Sequence, residues 1–233
     1  MILYRSALAN TKRERPESSI NISLDEKLER PVIVFNKTKD KVRFIKDVEM
    51  MIRRSDEYRD HIKFLKNNLD MNRCEVLKGL STSNGRRYRI EIHHEPFTLF
   101  DIVQTVVNKY EALGIPLNHF TVADEVEELH YDGKVGLVPL SKTMHDLVHA
   151  DKIFIPLQKI YHSYDKFFNE YEEYMDPKVI EKLEAKVELS LKCPDILSDV
   201  LDTEFVYVNI EGVNLPEIPE EWKNAMSMKD KSE

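Results

Sequence analysis

Two segments that lie far apart in the chain decide the fold. The first is Arg89-Ile90-Glu91-Ile92-His93-His94-Glu95-Pro96, and the second is Gly136-Leu137-Val138-Pro139-Leu140-Ser141-Lys142-Thr143-Met144-His145-Asp146-Leu147-Val148-His149. In the first segment isoleucines alternate with charged residues and a proline follows, which predicts a β-strand that ends in a pair of histidines. Four of the eight histidines of the chain lie in these two segments.

The second segment predicts a loop that leads into a short helix. Ser141 is a favourable residue type for a helix N-cap, so we expect the helix to begin there. His145 and His149 are four residues apart, and residues at this spacing lie on one face of a helix, within reach of a single ion. If the two segments converge, four imidazoles come together.

The composition describes an ordinary globular protein that is somewhat rich in charge. The chain has 233 residues, of which 42% are hydrophobic and 33% are charged. No apolar run approaches the ~20 residues of a membrane span, and the first residues lack the apolar core of a secretory signal, so we expect a cytoplasmic protein with no membrane partner. Cys74 and Cys193 belong to no paired motif, which argues against a disulfide framework.

The net charge of −8 is distributed unevenly. Residues 1–100 carry 21 Lys and Arg against 15 Asp and Glu, whereas residues 101–233 carry 13 against 27. The basic half contains the histidine pair, which Arg86, Arg87 and Arg89 precede. Because charges are screened beyond about 8 Å at physiological salt, an acidic total does not exclude a local basic groove.

The hydrophobic periodicity predicts a mainly helical α+β chain. We expect five regions: an irregular arm over 1–30, a mixed strand and helical region over 31–86, a core with a helical insertion over 87–155, a helical region with a strand over 156–213, and a tail over 214–233. Helices are predicted over 40–68 with a break near Ser55, and over 98–113, 121–130, 157–174 and 177–192. Strands are predicted over 31–35, 87–93 and 204–210. Asn84-Gly85 favours a hairpin turn that makes residues 72–80 the partner of strand 87–93.

Over residues 87–155 the pattern resembles the HNH, or ββα-metal, nuclease family, and specifically the HNH-type proteins that bacteriophages encode. The resemblance is carried by the strand end Ile92-His93-His94-Glu95-Pro96-Phe97, by Leu137-Val138-Pro139-Leu140-Ser141 at the start of the helix, and by the two helix histidines. It implies a ββα-metal motif embedded in the helical domain. It also implies a phage protein in the cytoplasm of the infected bacterial host.

The resemblance assigns roles to individual residues. His93, His145 and His149 would bind one divalent ion, and His94 would be the general base that takes a proton from the attacking water. Three imidazoles suit Zn²⁺, Ni²⁺ or Mn²⁺ better than Mg²⁺, which prefers oxygen ligands. The nucleic acid, expected to be DNA, would be contacted through its phosphates by four basic residues: Arg86, Arg87, Arg89 and Lys142.

The sequence departs from the family at one position of the motif. The family has an Asn nine positions before the first helix histidine, and Gly136 stands there in this chain. Either another residue, such as Asp132 or His130, supplies the missing hydrogen bond, or the site binds metal poorly and the fold serves another task. The function therefore has two candidates: an HNH-type endonuclease that hydrolyses phosphodiester bonds, and a catalytically silent relative that binds nucleic acid or a phage or host protein. A structural zinc ion is a third possibility.

Overall fold

The computed structural model describes residues 33, 35, 37–77 and 89–192. Within these residues the chain is mainly helical with one small antiparallel sheet, so the predicted α+β class is confirmed. The helices and strands are α1 (Thr38–Arg54), α2 (Asp56–Asn68), β1 (Ile90–His94), α3 (Leu99–Leu113), α4 (His119–Tyr131), β2 (Leu137–Ser141), α5 (Lys142–His149), α6 (Tyr164–Tyr171) and α7 (Pro177–Lys192). Two short 3₁₀ turns cover Leu157–Lys159 and Glu172–Tyr174.

The predicted break between the first two helices is confirmed at Ser55. This residue has an extended backbone, ends α1 and serves as the N-cap of α2, where its hydroxyl oxygen accepts a hydrogen bond from the backbone N–H of Tyr58 at 3.1 Å. A capping hydroxyl satisfies a helix N–H group that has no partner within the helix. The buried face of α1 consists of Phe44, Ile45, Val48 and Ile52.

Helix α3 begins and ends where its capping residues predict. Thr98 and Asp101 form a reciprocal capping box at its start, and Gly114 adopts the left-handed conformation (φ 65°) that terminates it. Its apolar stripe is buried against α1 and α4, which makes α3 the centre of the helical core. Helix α4 is confirmed and is longer than the predicted span of 121–130.

The partner of β1 differs from the prediction. Strand β1 pairs antiparallel with β2, with Ile90 opposite Ser141 and His94 opposite Leu137. The interpretation of residues 136–140 as a loop was wrong. Residues 72–77, the described part of the predicted partner of β1, form no strand, and residues 78–80 lie outside the described residues. All five residues of β2 are buried, so the alternation that marks a half-exposed strand is missing, and Pro139 weakens the strand signal further.

Both edges of β2 are occupied, which explains its burial. On the edge away from β1, Leu137 exchanges backbone hydrogen bonds with Tyr161, and the carbonyl oxygen of Pro139 accepts from the backbone N–H of Glu75 at 2.8 Å. Helix α5 follows β2 directly and packs against both strands. Strand β1, strand β2 and helix α5 thus form one compact unit, into which α3 and α4 are inserted.

The predicted helix over 157–174 is broken into shorter pieces. Tyr161 is engaged in the bridge to β2, and His162 has a left-handed backbone (φ 72°), so the helix cannot run through this point. Helix α7 is confirmed, with Pro177 as its first residue. The remaining predictions lie outside the described residues, apart from Ile33 and Phe35, which are in no strand: the arm over 1–30, the strand over 31–35, the turn at 81–85, the strand over 204–210 and the tail over 214–233.

Candidate metal centre

The two histidines of strand β1 lie on opposite faces of the strand, as its two-residue period requires. The ring of His93 lies beside α5, with its centroid 5.1 Å from that of His145 and 5.0 Å from that of His149. The ring of His94 instead lies beside α4, with its centroid 5.3 Å from that of His130. The chain therefore has two histidine clusters, one on each face of β1.

The first cluster contains the three predicted metal ligands. His93, His145 and His149 each offer a ring nitrogen, and these atoms lie within 4.8 Å of one another. Helix α5 brings its two histidines to the strand because Ser141 caps the helix and Met144 is buried beneath it. Three imidazoles at this separation form a donor set that suits a divalent transition metal.

The surroundings of His93 and His145 favour the neutral form of these two imidazoles. Burial, with smaller contributions from the neighbouring His149 and Lys186, lowers the pKa of His93 to about 4. Burial also lowers the pKa of His145, and its two histidine neighbours act in the same direction. A neutral imidazole has a free lone pair, which is the form that binds a metal ion.

Two carboxylates that the sequence reasoning missed touch the predicted ligands. Glu91 Oε2 lies 3.1 Å from His145 Nδ1, and Glu95 Oε2 lies 3.3 Å from His93 Nε2. Carboxylates that hydrogen-bond the outer nitrogen of a metal-binding histidine are a recurrent part of metal sites. The signal was present in the sequence, because these glutamates stand two residues before and two residues after His93 and so share its face of β1.

The structure does not bring His94, the predicted general base, to the three-histidine cluster. Its side chain is 6% exposed, and its Nε2 lies 3.0 Å from Nε2 of His130. His130 Nδ1 lies 2.7 Å from the carbonyl oxygen of Val126, and since a carbonyl only accepts, Nδ1 carries the hydrogen. In the neutral ring Nε2 then accepts, so His94 Nε2–H donates to it. Burial lowers the pKa of His130 to about 4 and that of His94 well below its usual range.

Gly136 has no space for the Asn of the resembling family. A Cβ atom at this position would lie 2.0 Å from the carbonyl oxygen of Glu95 and 2.9 Å from the side chain of Ile160. The close approach arises because Gly136 O accepts a hydrogen bond from Glu95 N at 3.0 Å, which extends the pairing of β1 with β2. Of the two residues expected as substitutes for the Asn, His130 contacts His94, whereas Asp132 lies 3.7 Å from Lys134.

Of the four basic residues predicted to contact phosphate, the structure describes two. Arg89 Nε lies 2.8 Å from Glu91, and Lys142 Nζ lies 2.5 Å from Asp146, so both described bases are paired with carboxylates. They are neighbours at the beginning of β1 and of α5, where Lys142 N donates to Arg89 O at 3.1 Å. Arg86 and Arg87 lie outside the described residues.

Comparison with models of protein families gives a match. Residues 9–215 match the model of the Bacteriophage G278-like virion protein family. The chain belongs to this family. No curated protein and no solved structure matches it. The expected phage origin of the chain is therefore confirmed at the level of this virion family. None of the described helices is long and apolar enough to cross a membrane.

Proposed function

We propose that this G278-like protein is a metal-binding component of the phage particle, in which His93, His145 and His149 hold one divalent ion and an HNH-like scaffold serves binding instead of cleavage. The observation that carries the proposal is the convergence of three ring nitrogens within 4.8 Å, from a strand and a helix that are distant in the chain. The partner is another phage or host protein, or nucleic acid. We expect the chain to be made in the cytoplasm of the infected host.

The donor set favours Zn²⁺, Ni²⁺ or Mn²⁺ over Mg²⁺, because all three donors are imidazole nitrogens. A bound ion would cross-link β1 to α5 and thereby stabilise the folded state. The pKa values of His93 and His145 are lowered by burial, which favours their neutral form, and their carboxylate neighbours Glu95 and Glu91 restrict the orientation of the rings. The residues of the chain therefore prepare the site for a metal ion.

The environment of His94 supports a binding role over catalysis. A general base must reach the water from which it takes a proton. His94 is buried on the far face of β1, and its Nε2–H is engaged with His130. Gly136 also lacks the amide that would orient the base in the resembling nucleases.

A second candidate function is an HNH-type endonuclease that hydrolyses phosphodiester bonds, with DNA as the expected substrate. The observation that favours it is the partial exposure of the cluster, since His149 is exposed and His145 is about one-fifth exposed. Solvent or a phosphate oxygen can therefore approach the outer side of these rings. This candidate requires that His94, which lies on the opposite face of β1, reach the cluster to act as the predicted base. The nucleic-acid backbone would be contacted by the predicted basic residues Arg86, Arg87, Arg89 and Lys142.

Metal content and DNA cleavage, measured on the same preparations, separate the two candidates. The variants are wild type, His94→Ala and the control His119→Ala, whose ring packs against Phe44 away from both clusters. Elemental analysis gives the bound metal, and plasmid cleavage is followed with Mg²⁺, Mn²⁺, Ni²⁺ and Zn²⁺. We expect metal in all three proteins and cleavage in none. Cleavage by wild type that is lost in His94→Ala alone would establish the nuclease.

A further inference from the structure

The face of β1 that carries His93 leads to a lysine of the last described helix. Glu95 follows His93 by two residues, is 4% exposed, and forms an ion pair with Lys186 of α7. Its other carboxylate oxygen lies 3.3 Å from His93 Nε2. Lys186, Glu95 and His93 thus form a continuous chain of contacts from α7 to the three-histidine cluster.

The chemistry of these contacts determines the tautomer of His93. An ionised carboxylate only accepts hydrogen bonds, so Nε2 of His93 must carry the hydrogen that it donates to Glu95. An imidazole that binds a metal ion is neutral, so its free lone pair is then on Nδ1. Glu95 therefore selects the ring nitrogen that is available to a metal ion, and it restrains rotation of the ring.

Lys186 is placed to hold Glu95 in this position. Its side chain is about 29% exposed, and its ammonium group forms the ion pair with the buried carboxylate of Glu95. When one member of a buried ion pair is removed, the other loses its compensation and tends to reorient or recruit water. Loss of Lys186 would consequently free the Glu95 carboxylate from its orientation towards His93.

We infer that Glu95 and Lys186 are positioning residues of the metal site: Glu95 fixes the tautomer and orientation of His93, and Lys186 holds Glu95, so that α7 is part of the site. The inference rests on the proposed function. Among the described residues the group able to share an ion consists of the three histidines, so Glu95 acts through His93 and is not a ligand itself.

Zinc affinity tests the inference. Zn²⁺ binding is measured by competition with a chromophoric chelator for wild type, Glu95→Gln, Lys186→Met and the matched control Lys182→Met, which changes an exposed lysine of the same helix. Removal of an outer partner of a metal-binding histidine costs about 10- to 100-fold in affinity. We expect a loss of this size for Glu95→Gln, a smaller loss for Lys186→Met, and no loss for the control.

Two further variants separate positioning from general stability. Lys186→Arg keeps the charge and should retain wild-type affinity, which shows that the fold tolerates a change at this position. The double variant Glu95→Gln/Lys186→Met should bind Zn²⁺ as Glu95→Gln alone does, because Lys186 acts through Glu95. The melting temperature of the metal-free proteins, measured in parallel, identifies any variant that has lost its fold.

The absorption spectrum of the Co²⁺-loaded protein tests the role of Glu95 directly. At saturating Co²⁺ the band shape of Glu95→Gln should match that of wild type, since the ligands are unchanged; a different band shape would show that Glu95 is a ligand and overturn the inference. Wild-type affinity in both Glu95→Gln and Lys186→Met would also overturn it, while the metal-binding proposal stands. Absence of Zn²⁺ binding by wild type would overturn both.

Discussion

The two faces of β1 carry adjacent histidines in opposite environments. On one face His93 lies among groups that restrain a neutral imidazole and leave one ring nitrogen free, next to a partly exposed helix. On the other face His94 lies in the core and gives its Nε2–H to His130. Two adjacent histidines in a strand therefore belong to two separate sites. Among the described residues, only the His93 face (the metal face) has the donor set for a metal ion, and the His94 face (the core face) contributes to the packing of α2 and α4 against the sheet.

The largest expected effect concerns Gly136, which stands at the position of the Asn in the resembling nucleases and lies opposite Glu95 where the pairing of β1 with β2 continues. Gly136→Asn should prevent folding or lower the free energy of unfolding by more than about 4 kcal/mol, because its Cβ would collide with the backbone of Glu95. Chemical denaturation followed by circular dichroism measures this. The control Gly114→Ala has open space around the new methyl group and a left-handed backbone, and should cost about 1–2 kcal/mol. A stably folded Gly136→Asn protein would refute this account of the glycine.

On the core face, His130→Ala should destabilise the protein by roughly 2–4 kcal/mol. The change opens a cavity and leaves the Nε2–H of His94 without its acceptor in a buried site. Zinc affinity should stay at the wild-type value, because His130 does not belong to the three-histidine cluster. Denaturation and zinc titration of the same preparation check both statements. A loss of zinc affinity without a loss of stability would break the separation of the two faces.

The core face also predicts a loss of stability in acid. The pKa of His130 is about 4 in the folded state and about 6.5 in the unfolded state, so the unfolded chain binds more protons between these values. Stability should therefore be complete above pH 6.5 and fall as the pH drops towards 4, with on the order of 3 kcal/mol due to His130. The neighbouring titratable or charged groups include His94, His162, Arg53, His61 and Tyr58.

The measurement is the free energy of unfolding of metal-free protein from pH 7.5 to pH 4. His130→Phe, which fills the same space without titrating, should show a shallower decline over this range. An unchanged pH dependence in His130→Phe would mean that other groups dominate the acid response.

The smallest effect is expected at the surface of the metal face. Arg89→Ala and Lys142→Ala should change the melting temperature little, because both cations are more than half exposed to solvent and such ion pairs contribute little to stability. If the chain binds DNA through this surface, both changes should weaken binding and reduce its salt dependence, as measured by fluorescence anisotropy at several salt concentrations. Identical DNA binding by both variants and wild type would remove these residues from the interface.

Local signals in the sequence predicted much of the fold. Capping residues such as Thr98 and Gly114 act on their own helix, so the limits of α3 follow from neighbouring residues alone. The same holds for the break at Ser55. Strand β2 escaped prediction because its five positions are all buried, which removes the alternation on which strand prediction depends.

The site was predicted in part for the same reason. The spacing of His145 and His149 is a helical period, so their common face follows from the sequence. The two-residue period of a strand separates His93 from His94. The prediction nevertheless assigned both histidines to one site, because it followed the resemblance to HNH nucleases. The contact between Lys186 and Glu95 joins residues 91 positions apart, and a local sequence pattern cannot predict a contact over this separation.

The central claim is that His93, but not its neighbour on the other face of β1, belongs to a metal site. Zn²⁺ titration by calorimetry tests it most directly, with wild type, His145→Ala for the metal face and His130→Ala for the core face. The account predicts one ion per chain in wild type and in His130→Ala, and at least about 100-fold weaker binding in His145→Ala, because one of three ligands is lost. Wild type that binds no zinc, or His145→Ala that binds it as tightly as wild type, would contradict the account.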